Sequence, residues 1–360
     1  MKENGTFKSD GIVLLNKSKG ISSFKAINKL KWIIKSNKVG HAGTLDPIAE
    51  GLLIVMVNNA TKFSDNLMKK DKEYYVEMEL GYKTDTYDLE GTVIAKYDSE
   101  INISDSEIIQ AVNSFKGKIK QVPPMYSAIK IEGQKLYDLA RKGIEVERAE
   151  RNVEISEIRE IKVMRPDKSS ENVQNIKISF YAKVSSGTYI RSLVYDIGEK
   201  LGVFATMTRL VRTKIGRFEI EDAITLEKAK AEIDKLKNLM EGKTENESFW
   251  ATKSDSDTRA EKIREIVCFV EIEYVLDYYG INVSNVKYGK LKNGMTVIDT
   301  FKKFENISKE ASKGANVREN QKFKIYVRNK NTNVREFKGI VKIVSIRGDR
   351  IYLKRDKYFL

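Results

Sequence analysis

Residues 40–47 are Gly-His-Ala-Gly-Thr-Leu-Asp-Pro, and residues 52–57 are Leu-Leu-Ile-Val-Met-Val. The apolar run predicts a buried β-strand, and the glycines and proline before it favour a loop. That loop carries Asp46 and the only histidine of the chain, His41. A carboxylate presented on a loop beside a core strand is well placed to meet a ligand. We therefore take Asp46 as the candidate nucleophile.

A purely structural interpretation of the same residues is also available. Asp followed by Pro is a favourable helix start, with Asp46 as the N-cap and Pro47 in the first helical position. The carboxylate would then accept hydrogen bonds from its own backbone and would have no ligand. These residues alone leave both interpretations open.

The composition limits the class of protein. The 360 residues are enough for two domains. Lys and Arg number 65 against 51 Asp and Glu, a net charge of +14. This excess favours nucleic acid over a membrane as the partner, although a generally lysine-rich proteome would produce it too. One cysteine, Cys268, and one histidine argue against a structural zinc site. Without a signal-like N-terminus or a long apolar run, we expect a cytoplasmic protein.

The pattern of apolar residues predicts an α+β fold. Residues 73–82, 92–97, 176–184 and 207–215 have the apolar patterns of strands. Ser22 and Ser23 can cap a helix whose apolar face would be Phe24, Ile27, Leu30 and Ile34. The hairpins and the mixed order of elements favour a mixed, largely antiparallel sheet flanked by helices.

Two further residues have the right chemistry for a site. Arg191 lies early in a predicted helix, where an arginine is unfavourable for the helix dipole, so a carboxylate or phosphate partner is plausible. The alternative is an arginine that faces solvent. Tyr74 lies on the apolar face of its strand. It is either a core residue or an aromatic platform under a flipped base.

Several motifs together resemble the bacterial tRNA pseudouridine-55 synthases, which isomerise a uridine in the T loop of tRNA. Residues 40–47 resemble the catalytic loop of this family, 72–81 its active-site tyrosine strand, and 186–191 the motif whose arginine pairs with the nucleophile. Residues 11–28 resemble its opening motif, except that Ser18 replaces the usual proline. The basic segment 120–150 is similar to the insert, or thumb, that clasps the tRNA arm in this family.

The resemblance implies a set of site residues. Asp46, Tyr74 and Arg191 would be catalytic. Contacts with RNA or substrate are implied for His41, Lys17, Leu210 and Tyr189. The reaction is an isomerisation, so we expect neither a cofactor nor a metal.

The resemblance also implies a domain organisation and a partner. We expect the pseudouridine synthase fold over residues 1–240, a linker or flexible surface segment at 241–262, and a small β-rich, PUA-like RNA-binding domain over 263–360. The partner would be the T arm and T loop of tRNA, bound by a monomer without a guide RNA. A non-catalytic RNA-binding protein or tRNA-folding chaperone on the same scaffold is the alternative.

Overall fold

The computed structural model describes residues 7–127, 129–131, 133–166, 176–241, 256–305, 317–329 and 331–359. The chain divides into two compact units. The first consists mainly of Val13–Val55 and Phe63–Cys268. The second consists of Phe269–Leu360 together with Lys8–Ile12 and Met56–Lys62. In the described part of the chain, no helix is both long and apolar enough to cross a membrane.

The strands before residue 269 are β1 (Gly11–Lys17), β2 (Val39–His41), β3 (Glu50–Val57), β4 (Lys72–Leu80), β5 (Tyr82–Thr84), β6 (Val93–Lys96), β7 (Gly117–Gln121), β8 (Lys130–Ile131), β9 (Gln134–Lys135), β10 (Arg151–Met164), β11 (Lys177–Val184), β12 (Ala205–Ile215) and β13 (Phe218–Glu219). The α-helices are α1 (Ser23–Ile34), α2 (Ser64–Met68), α3 (Asp105–Asn113), α4 (Leu136–Ala140), α5 (Ile190–Leu201), α6 (Leu226–Glu241) and α7 (Ser256–Ile266). Two short 3₁₀ helices are Asn58–Phe63 and Ile220–Asp222.

The main sheet has the strand order β1-β3-β12-β4-β11-β10-β7. β3 and β12 are parallel, whereas the four pairings from β12 to β7 are antiparallel. Helix α5 packs on β12, and α3 packs on β10 and α5. The predicted α+β class, with a mixed and largely antiparallel sheet flanked by helices, is therefore confirmed.

Helix α1 differs from its prediction in one respect. Ser22 caps it as expected, and Ile27, Leu30 and Ile34 are buried, but Phe24 is 70% exposed. The buried position in the first turn belongs to Ser23, whose hydroxyl binds backbone outside the helix. Placing Phe24 on the apolar face was therefore wrong, because a polar contact decides which side of the first turn is buried.

The second unit is rich in β-structure. Its elements are β14 (Phe269–Glu271), α8 (Ile272–Val275), β15 (Tyr279–Asn282), α9 (Asn285–Lys292), β16 (Val297–Thr300), β17 (Lys322–Arg328), β18 (Arg335–Arg347) and β19 (Arg350–Phe359). Five of the strands form a sheet in the order β15-β17-β18-β19-β16. Phe304 and Phe323 pack edge to face in its core, with ring centroids 4.8 Å apart. Most of the predicted linker at 241–262 lies outside the described residues, and its last residues belong to α7.

Candidate active site

Asp46 lies in the loop between β2 and β3. No helix follows it, because the chain turns at residues 47–49 and then enters β3. The turn is closed by the Ala49 N–H, which donates to the Asp46 carbonyl at 3.1 Å. The N-cap interpretation of Asp46 and Pro47 is therefore wrong, and the carboxylate is free to serve a site.

Side chains from neighbouring elements hold this loop in place. The buried hydroxyl of Ser23 accepts a hydrogen bond from the Leu45 N–H at 2.8 Å and donates to the Leu45 carbonyl at 2.9 Å. The ammonium of Lys17 donates to the carbonyls of Ile21 at 2.8 Å and Pro47 at 3.5 Å. Lys17 is fully buried, and this burial lowers its pKa to about 8. The residue before Asp46 and the residue after it are thus both anchored.

The guanidinium of Arg191 joins the loop to other parts of the first unit. Its Nη2 lies 3.0 Å from Oδ2 of Asp46, and its Nη1 lies 3.5 Å from Oδ2 of Asp88. The same two nitrogens donate to the carbonyls of Tyr126 at 2.7 Å and Thr86 at 3.1 Å. The side chain of Arg191 is only 6% exposed, so the solvent-facing alternative is wrong. Two carboxylates and two carbonyls thus fix the orientation of this buried guanidinium.

Asp88 is a site residue that sequence reasoning missed. It lies in the turn before β6, and its side chain is buried. The Thr86 hydroxyl donates to Oδ1 of Asp88 at 2.6 Å, and the Glu90 N–H donates to the same oxygen at 3.0 Å. Burial raises the pKa of Asp88 above its ordinary value, which the Thr86 hydrogen bond and the charge of Arg191 oppose. In the sequence it is one of several acidic residues in a turn that ends at Gly91, and nothing local marks it as the partner of Arg191.

The start of α5 is clamped by a glutamine. Oε1 of Gln121 accepts a hydrogen bond from the Tyr189 N–H at 2.8 Å, and its Nε2 donates to the Tyr189 carbonyl at 3.0 Å. Ser192 adds a hydrogen bond to the carbonyl of Val122 at 2.8 Å. Because Tyr189 is the N-cap residue of α5, Gln121 fixes the helix turn that carries Arg191.

A cavity of about 360 Å³ lies beside these groups. The predicted residues that line it are Asp46, Tyr74, Tyr189, Arg191 and Leu210. Tyr74 and Leu210 are 8% and 6% exposed. Tyr74 and Leu210 lie on the neighbouring strands β4 and β12. Burial raises the pKa of Tyr189. The structure therefore brings five of the seven predicted residues to one cavity of roughly nucleotide size.

Lys17 and His41 do not line this cavity. Lys17 lies behind the loop, on the carbonyls described above. His41 ends β2 and is partly buried, with no hydrogen-bond partner for its Nδ1 among the described residues. Burial lowers the pKa of His41, and the charge of Arg212 lowers it further, so the imidazole is neutral at neutral pH. An RNA contact by either residue stays a prediction.

Solved structures identify the class of fold. The chain is similar to Cbf5 in a crystal structure of a Cbf5-Nop10-Gar1 complex, with a TM-score of 0.58 and 23% identity over 97% of this chain and 85% of that chain. It is also similar to a chain in an H/ACA RNP bound to a substrate RNA, with a TM-score of 0.56, 20% identity and the same two coverages. The protein has the pseudouridine synthase fold.

Sequence comparisons identify the family. Residues 31–190 match the profile of the TruB family pseudouridylate synthase N-terminal domain, and residues 191–245 match the tRNA pseudouridylate synthase B C-terminal domain. A tRNA pseudouridine synthase B of Fusobacterium nucleatum is 50% identical over 212 residues, which are 59% of this chain and 70% of the relative. One of Clostridium perfringens is 45% identical over 291 residues, 81% of this chain and 85% of the relative. This chain belongs to the TruB family of pseudouridylate synthases.

Proposed function

We propose that this protein isomerises the uridine at position 55, in the T loop of tRNA, to pseudouridine, with Asp46 as the nucleophile. The observation that carries the assignment of Asp46 is its 3.0 Å ion pair with the buried Arg191 at the edge of a cavity of about 360 Å³. The chain belongs to a family of pseudouridylate synthases, and its relatives are named for action on tRNA. A carboxylate held by a buried guanidinium is ready to react at an electrophilic sugar carbon.

The chemistry is an internal exchange of bonds. The N1–C1′ bond breaks, the uracil turns, and C5 bonds to C1′, after which C5 releases its proton and N1 gains one. Asp46 either attacks C1′ or removes a proton from the ribose, and both routes need an ionised carboxylate beside the sugar. Arg191 supplies the positive charge and the orientation, and Asp88 fixes Arg191.

The reacting base must leave the RNA stack before this chemistry begins. Tyr74 offers its ring as a stacking surface and its hydroxyl for proton transfer. Leu210 and Tyr189 complete the apolar walls of the cavity. His41 and the segment 120–150 are proposed to hold the opened T loop. For Lys17, its buried contact with Pro47 supports a different role, which is to hold the loop that carries Asp46.

The proposal includes a domain organisation, a location and an assembly state. Residues 1–240 form the catalytic domain, and residues 263–360 form a PUA-like domain that adds contacts with tRNA. The protein acts as a cytoplasmic monomer without a guide RNA. Arginine-rich and lysine-rich surfaces on phosphates provide much of the affinity, and the folded shape of the T loop provides selectivity.

The deciding experiment maps pseudouridine in tRNA. Purified protein is incubated with unmodified tRNA, and position 55 is read by a carbodiimide-dependent stop in reverse transcription. We expect pseudouridine there and nowhere else in the tRNA. If the protein binds and refolds tRNA but leaves that uridine unchanged, it is a chaperone on this scaffold and the proposal fails.

A further inference from the structure

Arg212 is a buried cation that has no anionic partner in the described part of the chain. It lies on β12 two residues after Leu210, and both line the cavity. The residue is only 1% exposed. Its Nε donates to the Leu52 carbonyl at 2.7 Å, and its Nη2 donates to the Gly43 carbonyl at 3.1 Å. Within the described residues it makes no ion pair with a carboxylate, and its Nη1 has no hydrogen-bond acceptor.

A second buried cation lies beside it. A Cβ atom at Gly43 would lie 3.6 Å from Nη1 of Arg212 and 3.9 Å from Cε of Lys72, so both side chains border the same glycine. Lys72 also lines the cavity and is 7% exposed. Its ammonium donates only to carbonyls, those of Met68 and Lys70. Burial lowers its pKa to about 8, and the charge of Arg212 contributes to this shift.

Two neighbouring buried cations without an ion pair are unfavourable in the empty protein, although the charge of Asp71 offsets part of the cost at Lys72. Each loses hydration on burial, and their charges repel each other. An anion that enters the cavity would relieve both effects. The free edge of a guanidinium is suited to a phosphate, to which it donates charge-assisted hydrogen bonds.

The position of Arg212 fits a nucleotide that is bound by its base. Arg212 is the direct cross-strand partner of Tyr74 in the pairing of β12 with β4. Side chains directly opposite each other on one face of a sheet are neighbours, at about 5 Å between Cβ atoms. A uridine that stacks on Tyr74 would therefore have its sugar and phosphate within reach of the Arg212 guanidinium.

We propose that Arg212, with Lys72 beside it, binds a backbone phosphate adjacent to the flipped uridine. This subsite rests on the proposed function, because it needs a nucleotide in the cavity. The isomerisation indicates what such a phosphate contact would do. Once the N1–C1′ bond is broken, the uracil must turn while the ribose stays in place. A phosphate fixed by Arg212 would keep C1′ next to Asp46 during that rotation.

A structural role for Arg212 gives a different expectation. Its hydrogen bonds to Gly43 and Leu52 join the two ends of the loop that carries Asp46. If that were its whole role, neutralising a phosphate of the RNA would weaken binding by the same factor in proteins with and without the Arg212 guanidinium. The two roles are therefore separated by changing the RNA and the protein together.

The test uses T-arm stem-loop RNAs with one neutral methylphosphonate linkage, placed 5′ of the target uridine, 3′ of it, or in the stem as a control. Dissociation constants are measured with Asp46→Asn protein, which leaves the substrate unconverted, and with the same protein carrying Arg212→Gln. Arg209→Gln is the matched control, because Arg209 lies on the same strand but is 48% exposed and paired with Glu50 and Glu77.

We expect one of the two linkages beside the uridine to weaken binding about 10- to 100-fold more than the stem linkage does. Arg212→Gln should weaken binding of unmodified RNA by a similar factor. That linkage should then weaken binding to the Arg212→Gln protein no further. Arg209→Gln should keep the full difference. If the two losses multiply, or if neither linkage beside the uridine exceeds the stem control, the subsite does not exist.

Folding of the variants is checked by circular dichroism and thermal melting. If Arg212→Gln does not fold, the linkage series is measured with protein that keeps Arg212 and with the same protein carrying Lys72→Gln. Lys72→Gln should reduce the difference in affinity loss between the linkage beside the uridine and the stem linkage. If Lys72→Gln leaves that difference unchanged, Lys72 has no role in the subsite. If the protein that keeps Arg212 shows no such difference, the subsite itself is overturned. Failure of the proposed function is distinct, because wild-type protein would then leave the unmodified stem-loop unconverted.

Discussion

Nη2 of Arg191 lies 3.0 Å from Oδ2 of Asp46, and the two residues come from elements that are far apart in the sequence. The arginine is buried, whereas the aspartate side chain is 37% exposed and borders the cavity. The charge that holds the carboxylate is therefore protected from solvent, while the carboxylate itself is accessible to a substrate. This asymmetry is what a nucleophile and its positioning partner require.

Asp46→Asn tests the nucleophile directly. The amide has almost the same shape as the carboxylate, so fold and tRNA affinity should be retained, but it cannot attack or deprotonate the sugar. Turnover should fall below detection in a tritium-release assay with tRNA labelled at C5 of uridine. Equal thermal melting of the variant and the wild type is the control. Normal pseudouridine formation by the variant would remove Asp46 from this role.

Asp88→Asn tests the support of Arg191. We expect single-turnover rates to fall by about tenfold or more, because Arg191 loses one of two charged partners, while tRNA affinity changes little. Since burial raises the pKa of Asp88, the wild-type rate should decline on the acid side as this carboxyl is protonated, and Asp88→Asn should lack that limb.

Asp85→Asn is the matched control for Asp88, since Asp85 lies in the same hairpin and its side chain accepts a hydrogen bond from the Thr92 N–H at 2.8 Å within the turn. Its rate and pH profile should equal those of the wild type. A control that slows the reaction as much as Asp88→Asn would mean that the hairpin fold, and not the charge of Asp88, is responsible.

Two substitutions at Tyr74 separate stacking from proton transfer. Tyr74→Phe keeps the ring, so RNA affinity should be unchanged while the single-turnover rate falls. Tyr74→Leu removes the ring and should weaken binding by about 5- to 150-fold, the usual range for one stacked base. Titration of a T-arm stem-loop followed by rapid-quench kinetics measures both quantities. Equal affinity of the Leu and Phe variants would mean that no base stacks on this residue.

The buried lysines predict how stability depends on pH. In the folded state Lys17 and Lys72 have pKa values of about 8, against 10.5 in the unfolded chain. Between these values the unfolded state binds more protons, so the free energy of unfolding should rise as the pH increases from 8.

Urea denaturation at pH 7.5, 9 and 10 measures this rise. Lys17→Met should remove part of this rise, whereas Lys25→Met should not, because Lys25 is exposed. The measurement stops at pH 10 because, between pH 10 and about 12, the raised pKa of Tyr195 makes the folded state bind more protons, which opposes the rise. A free energy of unfolding that is flat or falls from pH 8 to 10 would contradict the burial of these charges.

The net charge of +14 predicts a strong dependence of tRNA binding on salt. A plot of log affinity against log salt concentration should have a slope of about −0.7 to −0.9 for each phosphate contacted. Filter binding between 50 and 300 mM KCl, roughly the range in which such slopes are measured, gives the value. A slope near zero would show that phosphate contacts contribute little to the affinity.

The apolar patterns predicted several strands of the sheet and the α+β class, but they did not predict β7 or β10. The motifs named residues of which five line one cavity, and their roles in the reaction stay a prediction. Asp88 and Gln121 were missed as site residues for a different reason. Each acts on a residue remote in sequence, Asp88 on Arg191 and Gln121 on Tyr189, and no local pattern indicates such a pairing. Phe24 was misplaced because a hydrogen bond of Ser23, not hydrophobicity, sets the buried side of the first helical turn.

The hydrogen bond from Arg191 to the Tyr126 carbonyl connects segment 120–150 to the ion pair of Arg191 and Asp46. Tyr126 belongs to the segment 120–150, which is proposed to hold the RNA, and Gln121 near the start of that segment holds the helix of Arg191. A displacement of these residues would therefore reach Arg191, and through its ion pair Asp46. If segment 120–150 holds the RNA as proposed, the seating of the RNA and the orientation of Asp46 are coupled.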